Sequence, residues 1–292
     1  MTAAPGSIRS TGTTRLTVGA ALRNAARALE GHSDSPRLDS ELLLGKILGL
    51  SRSGLTARSN EPCTGECEQE FTQLIDERRR GVPVAYLTGH REFWSLELRV
   101  TPAVLVPRPE TEVLVDQALQ RLPRDRSATV LDLGTGSGAI ALAIAAERPD
   151  VEVTGVDVSA PALDVAMQNA RALGLARTHW RLGDWFAPLC GERFDMIVAN
   201  PPYVAAADPA LEKLGAEPLI ALCCGPSGLE ALTAIAAGAR AHLNDHGWLI
   251  LEHGSDQALA VAQLLQSHGF ACIGTHLDLS GLPRVTLGTT HS

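Results

Sequence analysis

The first third of the chain repeats apolar residues at helical spacing. Between Leu16 and about Gly81, leucine, isoleucine and phenylalanine side chains recur every three or four positions, which is the period of one face of an α-helix. Pro36 and Pro62 interrupt the pattern, and proline ends or kinks a helix because it has no backbone N–H. The pattern predicts several short helices, preceded by a loose tail over residues 1–14 that is rich in Thr, Ser, Ala and Gly.

A different pattern follows the helical region. Residues 93–100, Phe-Trp-Ser-Leu-Glu-Leu-Arg-Val, partly alternate between apolar and polar, which is the period of a half-buried strand. A proline-rich turn at 107–109 ends this stretch. We predict a β-hairpin connector over 85–106, between a small helical N-terminal domain at 1–84 and a larger domain at 107–292.

Short apolar runs alternate with helix-length segments from Thr129 to the end of the chain. This alternation predicts a mostly parallel sheet with helices on both faces, that is, a doubly wound α/β fold. The last two apolar runs predict a terminal antiparallel hairpin. The predicted strands are 130–133, 151–156, 178–182, 194–198, 248–251, 271–277 and 284–287, and the predicted helices are 139–147, 160–173, 229–243 and 258–267.

Composition and charge narrow the class of protein. Of the 292 residues, 45% are hydrophobic, so the chain can bury a large core, and the formal net charge is −8. Proteins that hold nucleic acid mainly through phosphates are usually basic, so no direct nucleic-acid partner is expected. The sequence has no apolar run of signal-peptide or membrane-spanning length. We therefore expect a cytoplasmic protein with no membrane partner.

The six cysteines do not indicate a metal site. Cys63 and Cys67 have a spacing seen in metal sites, but a second close pair of cysteines or histidines does not follow. Cysteines of a chain without an export signal are usually reduced. No metal is therefore expected.

A glycine-rich segment, Gly134-Thr135-Gly136-Ser137-Gly138, lies between the first strand and the first helix of the larger domain. Glycine permits a sharp turn and a close approach of the backbone to a ligand, and the helix N-terminus behind it offers free N–H groups. This loop suits a dinucleotide pyrophosphate and the carboxylate of a methionine moiety equally well.

Asp157 ends the second predicted strand, 23 residues after Gly134. An acidic side chain at this point accepts hydrogen bonds from ribose hydroxyls in dinucleotide-binding folds. The glycine loop and Asp157 therefore predict a cofactor that contains adenosine. They leave NAD and S-adenosylmethionine both open, because a glycine loop alone is weak support for either.

The segment Asn200-Pro201-Pro202-Tyr203 follows the fourth predicted strand directly. Ligands of doubly wound sheets bind beyond the carboxyl ends of the strands, so the segment is expected to face the cofactor. Its prolines remove two backbone donors. The Asn200 side-chain oxygen and the Pro201 carbonyl remain as acceptors for the two N–H bonds of a planar amino group, and Tyr203 is predicted to cover that group's face.

This clamp suits methyl transfer to nitrogen. The reaction needs alignment of the nitrogen with an electrophilic methyl group rather than a metal or a nucleophilic side chain. Hydride transfer to NAD has no use for such a clamp. The segment therefore favours S-adenosylmethionine as the cofactor.

Trp185 follows Asp184 just after the third predicted strand. An indole at this edge of the sheet is predicted to stack on adenine or to lie along its edge, with the neighbouring residue bonded to the exocyclic amine. A tryptophan that only packs in the core is the alternative.

The whole set of motifs resembles the bacterial release factor glutamine methyltransferases, the HemK/PrmC family, from about Leu38 to Gly288. The family implies N5-methylation of the glutamine in the Gly-Gly-Gln motif of peptide chain release factors, with S-adenosyl-L-methionine as the cofactor. It also implies a helical N-terminal domain, a β-hairpin and a Rossmann-like methyltransferase domain. The most specific segments are Pro-Val-Ala-Tyr-Leu-Thr-Gly at 83–89, Arg-Glu-Phe-Trp at 91–94, Val-Pro-Arg-Pro-Glu-Thr-Glu at 106–112, the glycine loop, Asn-Pro-Pro-Tyr at 200–203 and Arg-Val-Thr-Leu-Gly at 284–288.

The resemblance implies roles for individual residues as well. The glycine loop, Asp157, Trp185 and Asn200 are similar to cofactor contacts, and 200–203 is similar to the glutamine site. The loop at 107–111 is similar to a cover near the methionine end of the cofactor. The helical domain is expected to bind the release factor, and the enzyme is expected to act as a monomer.

Other functions remain open at this point. A methyltransferase for a ribosomal protein glutamine would use the same clamp, although 93–96 and 109–111 are more similar to the release factor group. An adenine-N6 DNA methyltransferase would clamp an adenine amine, but the acidic charge and the lack of an evident target-recognition domain disfavour it. A non-catalytic cofactor-binding module would not need Asn200. Ala216 stands where the family often has an aromatic residue, so an aromatic contact is not expected there.

Overall fold

The computed structural model describes residues 16–175 and 177–290, without the side chain of Lys213. Its contacts divide the chain into a unit that ends at Thr88 and a unit that begins at Gly89. The predicted loose tail at 1–14 lies outside the described residues. The predicted domain boundaries after residues 84 and 106 stay predictions.

The described part of the first unit is built from short helices, as the apolar spacing predicted. The Thr17 side chain accepts a hydrogen bond from Ala20 N (3.3 Å) and so caps the first helix. Gly49 ends the second helix in the left-handed conformation (φ 64°), where glycine has no steric penalty. Their inward leucines share one apolar core. The helices are α1 (Val18–Ala28), α2 (Pro36–Leu48), α3 (Arg52–Ala57), α4 (Gly65–Arg79) and α5 (Val84–Thr88).

The second unit begins with a hairpin and then alternates strands with helices. Strands β3 and β6 below are apolar and buried on both faces, as the interior strands of a parallel sheet must be. The elements are β1 (His90–Phe93), β2 (Leu96–Arg99), α6 (Glu112–Arg121), β3 (Thr129–Leu133), α7 (Ala139–Glu147), β4 (Glu152–Asp157), α8 (Ala160–Ala172), β5 (Thr178–Leu182), β6 (Phe194–Ala199), α9 (Ala210–Lys213), α10 (Leu219–Leu222), α11 (Glu230–Ala239), β7 (Leu243–Glu252), α12 (Ala258–Ser267), β8 (Ala271–Leu277) and β9 (Pro283–Thr289).

The large sheet confirms the predicted doubly wound fold. Within the described residues its order is β5-β4-β3-β6-β7-β9-β8, with β3 to β7 parallel and β9 antiparallel to both of its neighbours. Helices α6, α7 and α8 pack on one face, and α11 and α12 pack on the other. The terminal hairpin β8–β9 closes one edge of the sheet, as predicted.

The strand register brings the predicted motifs to one edge. Leu133 at the end of β3 pairs with Val156 of β4 and with Ala199 of β6, and Ala199 pairs with Leu251 of β7. The next residue of each strand therefore lies at the same level of this edge. These residues are Gly134, Asp157, Asn200 and Glu252.

One predicted helix boundary is wrong. The apolar spacing predicted a helix over 229–243, but α11 ends at Ala239, a 3-10 turn covers Arg240–His242, and Leu243 begins β7. Leu243 pairs with Phe194 in the sheet and is buried. Its apolar side chain continues the helical spacing by coincidence, because the sheet core needs the same residue type.

The paired strands of the hairpin lie within the predicted connector at 85–106 and belong to the second unit. Strand β1 pairs with β2. Trp94 Nε1 at the turn donates to Glu147 Oε1 of α7 (2.9 Å), and the Asn169 side chain of α8 bonds both the N–H and the C=O of Arg99 (2.8 and 3.1 Å). These bonds fix the hairpin against the helices of one sheet face.

Candidate active site

A cleft of about 410 Å³ opens at the carboxyl edge of the parallel strands in the second unit. This volume lies within the range of small-molecule sites. Its walls come from the loops that follow β3, β4, β5 and β6 and from the segment before α6. Eight of the predicted site residues line it: Gly134, Thr135, Gly136, Ser137, Asp157, Trp185, Asn200 and Pro202.

Three predicted site residues lie outside this lining. Gly138 precedes α7 at φ 82°, and a Cβ there would lie 3.0 Å from Trp180 Cη2, so the packing of this turn already requires glycine. Pro201 is buried. Tyr203 packs against the apolar core and its hydroxyl donates to Glu252 Oε1 (3.2 Å). Their direct contacts with ligands stay predictions.

The glycine loop rests on a buried carboxyl group, Asp132 of β3. Its Oδ2 accepts hydrogen bonds from Thr135 Oγ1 (2.6 Å) and Ala141 N (3.3 Å). Burial raises the pKa of Asp132 to about 7, against the lowering effect of these bonds. Oδ1 is buried without a hydrogen-bond partner among the described residues. Asp132 therefore ties the loop to the first turn of α7.

Asp157 holds the other side of the loop. Its Oδ2 accepts from Gly136 N (2.8 Å) and its Oδ1 from Ser159 N (2.9 Å), while the residue lines the cleft. Burial raises its pKa, and the backbone hydrogen bonds oppose that rise. Each carboxylate oxygen has a second lone pair, so Asp157 can both orient Gly136 and accept hydroxyl donors from the cleft.

Trp185 forms the wall next to the glycine loop. Its backbone is left-handed (φ 44°), and a Cβ at Gly134 would lie 3.6 Å from Trp185 Cζ3. The half-buried ring also packs against the apolar core of that sheet face. The indole therefore combines a core contact with a surface that faces the cleft, and its contact with adenine stays a prediction.

Asn200 lies beside the glycine loop, because Ala199 pairs with Leu133, and its amide group is oriented. Its Nδ2 donates to Thr111 Oγ1 (3.2 Å), which leaves Oδ1 as an acceptor. Thr111 is buried and ends the 3-10 turn Pro109–Thr111. The turn places Thr111 beside Asn200, and both residues line the cleft.

A buried ion pair anchors the loop at 107–111. Arg108 Nη2 contacts Glu217 Oε2, and Glu217 Oε1 accepts from Val106 N (2.9 Å). Glu217 is buried, whereas Arg108 is about a third exposed and lines the cleft. Ala216 is half-buried and lies outside the cleft lining. The pair fastens the proposed cover loop to the segment after α9.

Sequence patterns did not single out several residues of this site. Asp132 and Glu252 are acidic residues within apolar strand sequences, Val-Leu-Asp-Leu and Leu-Ile-Leu-Glu, and a buried carboxyl in a strand is rare enough to have been a signal. Cys223 and Cys224 line the cleft, and Cys224 Sγ donates to the Pro202 carbonyl (2.9 Å). In the described ranges, no cluster of three or more His, Cys, Asp or Glu residues is arranged to hold a metal ion.

Two family models match the chain. The PrmC N-terminal domain matches residues 20–89, and the methyltransferase small domain matches residues 111–217. A solved T. thermophilus 16S rRNA methyltransferase in complex with AdoMet and guanosine is similar in fold, with a TM-score of 0.53 and 22% identity over 68% of this chain and 49% of that chain. This likeness concerns the methyltransferase fold alone.

Two relatives are similar over nearly their whole length. The release factor glutamine methyltransferase of Xylella fastidiosa (strain Temecula1) is 50% identical over 254 residues, which cover 86% of this chain and 92% of the relative. The release factor glutamine methyltransferase of Escherichia coli (strain K12) is 45% identical over 269 residues, which cover 91% and 96%. The chain belongs to the release factor glutamine methyltransferase family.

Proposed function

We propose that the protein transfers a methyl group from S-adenosylmethionine to the side-chain amide nitrogen, N5, of the glutamine in the Gly-Gly-Gln motif of peptide chain release factors. The observation that carries this proposal is the oriented Asn200 amide in the same cleft as the glycine loop. The part of the cleft at Asn200 is called the acceptor end, and the part at the glycine loop, Asp157 and Trp185 is called the cofactor end. Membership of the family supports the choice of substrate.

The cleft fits S-adenosylmethionine. The glycine loop and the N-terminus of α7 offer N–H groups to the methionine carboxylate, Asp157 offers carboxylate lone pairs to the ribose hydroxyls, and Trp185 offers its indole to the adenine. When bound, the cofactor supplies an electrophilic methyl group on a sulfonium. These residues would hold the cofactor in the cleft that Asn200 also lines.

The acceptor end aligns a poor nucleophile. An amide nitrogen shares its lone pair with its carbonyl, so the enzyme gains most by fixing the amide plane. Asn200 Oδ1 and the Pro201 carbonyl would accept one N–H bond each and so would fix the plane of the substrate amide. Positioning of this kind can supply several kcal/mol of the barrier, about 7–11 in well-oriented systems. Transfer would leave a neutral thioether on the cofactor and one excess proton on the amide nitrogen, which would pass to solvent.

We further infer that the helical unit binds the release factor. Helix α2 exposes Leu38 and Leu42, four residues apart on one helix face, with 37% and 40% of their surface accessible. Exposed apolar side chains on one face are a feature of protein-binding helices. Replacing Leu42 with Glu is expected to raise the KM for an intact release factor and leave the KM for a short Gly-Gly-Gln peptide unchanged.

The central experiment is mass spectrometry of the Gly-Gly-Gln peptide. An intact release factor is treated with the enzyme and S-adenosylmethionine and then digested. The expected result is one methyl group on the glutamine of the motif, and none on a factor whose motif glutamine is replaced by alanine. An unmodified motif in the presence of active, folded enzyme would contradict the proposal.

Two parallel reactions separate the alternatives. Ribosomal proteins and adenine-containing DNA are offered with the same labelled cofactor. Label on a ribosomal protein glutamine and none on the release factor would identify the sister activity. Label on DNA would identify an adenine methyltransferase and would remove the expectation that nucleic acid is not a partner.

Location and oligomeric state stay predictions. In the part of the chain that the structure describes, none of the helices is long and apolar enough to cross a membrane. A monomer is expected, and sedimentation of the purified protein at several concentrations tests it. A concentration-dependent mass would contradict it.

A further inference from the structure

A fully buried carboxyl group lies behind the acceptor end of the cleft. Glu252 ends β7 beside Asn200, the residue after β6, and has only 1% of its surface accessible. It does not belong to the cleft lining, so its carboxyl group does not reach the ligands directly. A carboxyl group in this position is costly to bury unless it is hydrogen-bonded or neutralised.

Glu252 is surrounded by hydroxyl groups from the two loops of the acceptor end. Tyr203 Oη donates to Glu252 Oε1 (3.2 Å). The Thr111 hydroxyl also interacts with the carboxyl and, like Tyr203, lowers its pKa. Oε2 has no partner of good hydrogen-bond geometry among the described residues, so the Thr111 contact is not a well-aligned hydrogen bond. Glu252 thus lies between the 107–111 loop and the 200–203 segment, with one carboxylate oxygen still able to accept a proton donor.

The direction of these hydrogen bonds determines which Asn200 atom faces the substrate. A threonine hydroxyl has one proton and two lone pairs. When the Glu252 carboxylate takes the Thr111 proton, the Thr111 oxygen can only accept from Asn200. Asn200 must then present Nδ2 to Thr111, as observed at 3.2 Å, and Oδ1 to the acceptor nitrogen. If the Thr111 proton were free to point at Asn200, the Asn200 amide could flip. Its Nδ2 donor would then face the N–H donor of the substrate amide.

We propose that Glu252 is a positioning residue for methyl transfer: its carboxylate, acting through the Thr111 hydroxyl, fixes Asn200 with Oδ1 toward the substrate amide, and through the Tyr203 hydroxyl it fixes the second half of the acceptor segment. This inference rests on the proposed function, because it assigns a role within the same site. It requires the ionised carboxylate, since a protonated or amidated side chain can donate to Thr111 and reverse the relay.

Charged groups around Glu252 control how easily it ionises. Burial raises its pKa to about 7. Arg284 of β9 favours the ionised form, and Glu110 of the 3-10 turn opposes it. Arg284 is itself held by Asp278 (Nη2 to Oδ2, 3.2 Å). The buried Tyr203 phenol, whose pKa is raised by burial, and the neighbouring His253, whose pKa is lowered by burial, both stay neutral near pH 7 and add no charge.

The test compares isosteric variants by single-turnover methyl transfer to a Gly-Gly-Gln peptide, with both substrates saturating. Glu252→Gln and Thr111→Val are each expected to lower the rate by about 10-fold or more, the size of a misdirected hydrogen bond plus misalignment. The dissociation constant for S-adenosylmethionine should change less than about twofold. Thr111→Ser, which keeps the hydroxyl, should restore most of the rate.

Non-additivity separates a relay from two independent losses. The double variant Glu252→Gln with Thr111→Val should be no more than about threefold slower than the slower single variant, because both changes break one relay. Multiplicative losses would overturn the proposal. The wild-type rate should rise with pH through about 7, with the rise absent from Glu252→Gln. An identical pH profile in the two proteins would also overturn it.

A matched control measures how much the transfer rate falls when a buried threonine hydroxyl elsewhere is lost. Thr286 of β9 is fully buried and bonds the His253 ring (2.8 Å), and its side-chain hydrogen bonds within the described ranges do not include Asn200. Thr286→Val should leave the rate within about twofold of wild type. Equal losses in Thr286→Val and Thr111→Val, at matched melting temperature, would reduce Thr111 and Glu252 to structural roles. If wild-type enzyme fails to methylate the peptide at all, the proposed function fails, and that result differs from an unaffected Glu252→Gln.

Discussion

Each end of the cleft has a buried carboxyl group that accepts a hydrogen bond from a hydroxyl group. The two ends differ in how far apart the hydrogen-bonded residues are in the sequence. At the cofactor end, the buried Asp132 accepts from Thr135, three residues away (2.6 Å). At the acceptor end, the buried Glu252 accepts from Tyr203, 49 residues away (3.2 Å). In both carboxyl groups one oxygen lacks a hydrogen-bond partner within the described ranges, and burial raises both pKa values to about 7.

This difference predicts which measured quantity, cofactor affinity or transfer rate, a substitution at each end should change. The cofactor end is set by the loops after β3, β4 and β5, and the hydrogen bonds of Asp132 and Asp157 there span at most 21 residues. Changes there should alter cofactor affinity. The acceptor end needs three segments, and the Asn200 bond to Thr111 spans 89 residues. Small shifts in packing therefore reach the acceptor nitrogen, and changes there should alter the rate of transfer at unchanged cofactor affinity.

The largest effect is expected for Asn200→Ala. The change removes an acceptor and leaves a substrate N–H without a partner, at about 1–3 kcal/mol, and displacement of the nitrogen by roughly 1 Å adds a loss on the order of a hundredfold. Single-turnover transfer with both substrates saturating measures it. Asn244→Ala, at a polar site on β7 away from the cleft, is the control. A rate for Asn200→Ala within threefold of wild type would leave Asn200 as a turn residue only.

Asp157→Ala should be the strongest change at the cofactor end. It removes the predicted ribose contacts, worth about 1–3 kcal/mol in cofactor affinity, and it also frees Gly136 N and Ser159 N. Asp157→Asn, which keeps an acceptor oxygen, should lose less. Calorimetry gives the dissociation constants, and unchanged affinity in Asp157→Ala would refute the assignment.

Asp132→Asn should weaken cofactor binding by about tenfold, the size of one hydrogen bond to a charged group, and leave single-turnover transfer at saturation near wild type. Glu252→Gln is expected to have the opposite pattern: it should slow methyl transfer and leave the cofactor affinity near wild type. Equilibrium binding and single-turnover rates are measured on both variants. They show whether each variant changes the cofactor affinity or the rate of methyl transfer. A loss of rate rather than affinity in Asp132→Asn would break the comparison between the two ends.

Stability should fall as pH rises through the window set by the two carboxyl groups. Their folded pKa values of about 7 lie above the ordinary values of 3.8 and 4.5, so the folded state binds these protons more tightly than the unfolded chain. The unfolding free energy they contribute is therefore present below about pH 4 and is lost as pH rises through about 7. Denaturant unfolding at several pH values checks this. The difference between wild type and Glu252→Gln should narrow or reverse as pH rises, and a pH-independent difference would be inconsistent with a raised pKa.

Tyr203→Phe should have the smallest effect. It removes the hydroxyl that donates to Glu252 Oε1 and keeps the ring in the core. A few-fold slower transfer is expected, with the pH–rate midpoint shifted upward, because the ionised carboxyl group loses a hydrogen bond. A midpoint that does not move would show that Tyr203 does not support Glu252 in the working enzyme.

Local patterns were sufficient for most of the second unit. Apolar runs of strand length predicted the mostly parallel sheet, and the predicted terminal hairpin is confirmed by the antiparallel pairing of β8 with β9. The helix predicted through Leu243 was too long because a buried strand and a buried helix face use the same apolar residues. Periodicity could not separate them, and the pairing of Leu243 with Phe194 decided the boundary.

The sequence by itself determined the chemistry offered at the sheet edge. Three features lie at the end of a recognisable strand: the glycine loop, Asp157 and Asn200. Parallel strands end at one edge of a sheet, so the sequence alone predicts that these features meet there. Only the tertiary structure decided how Asn200 is oriented and that Gly138 and Tyr203 turn toward the interior. The physical reason is the separation of the interacting residues along the chain. Hydrophobic periodicity reports on neighbours a few residues apart, whereas hydrogen bonds across 49 and 89 residues form only after separate segments pack together.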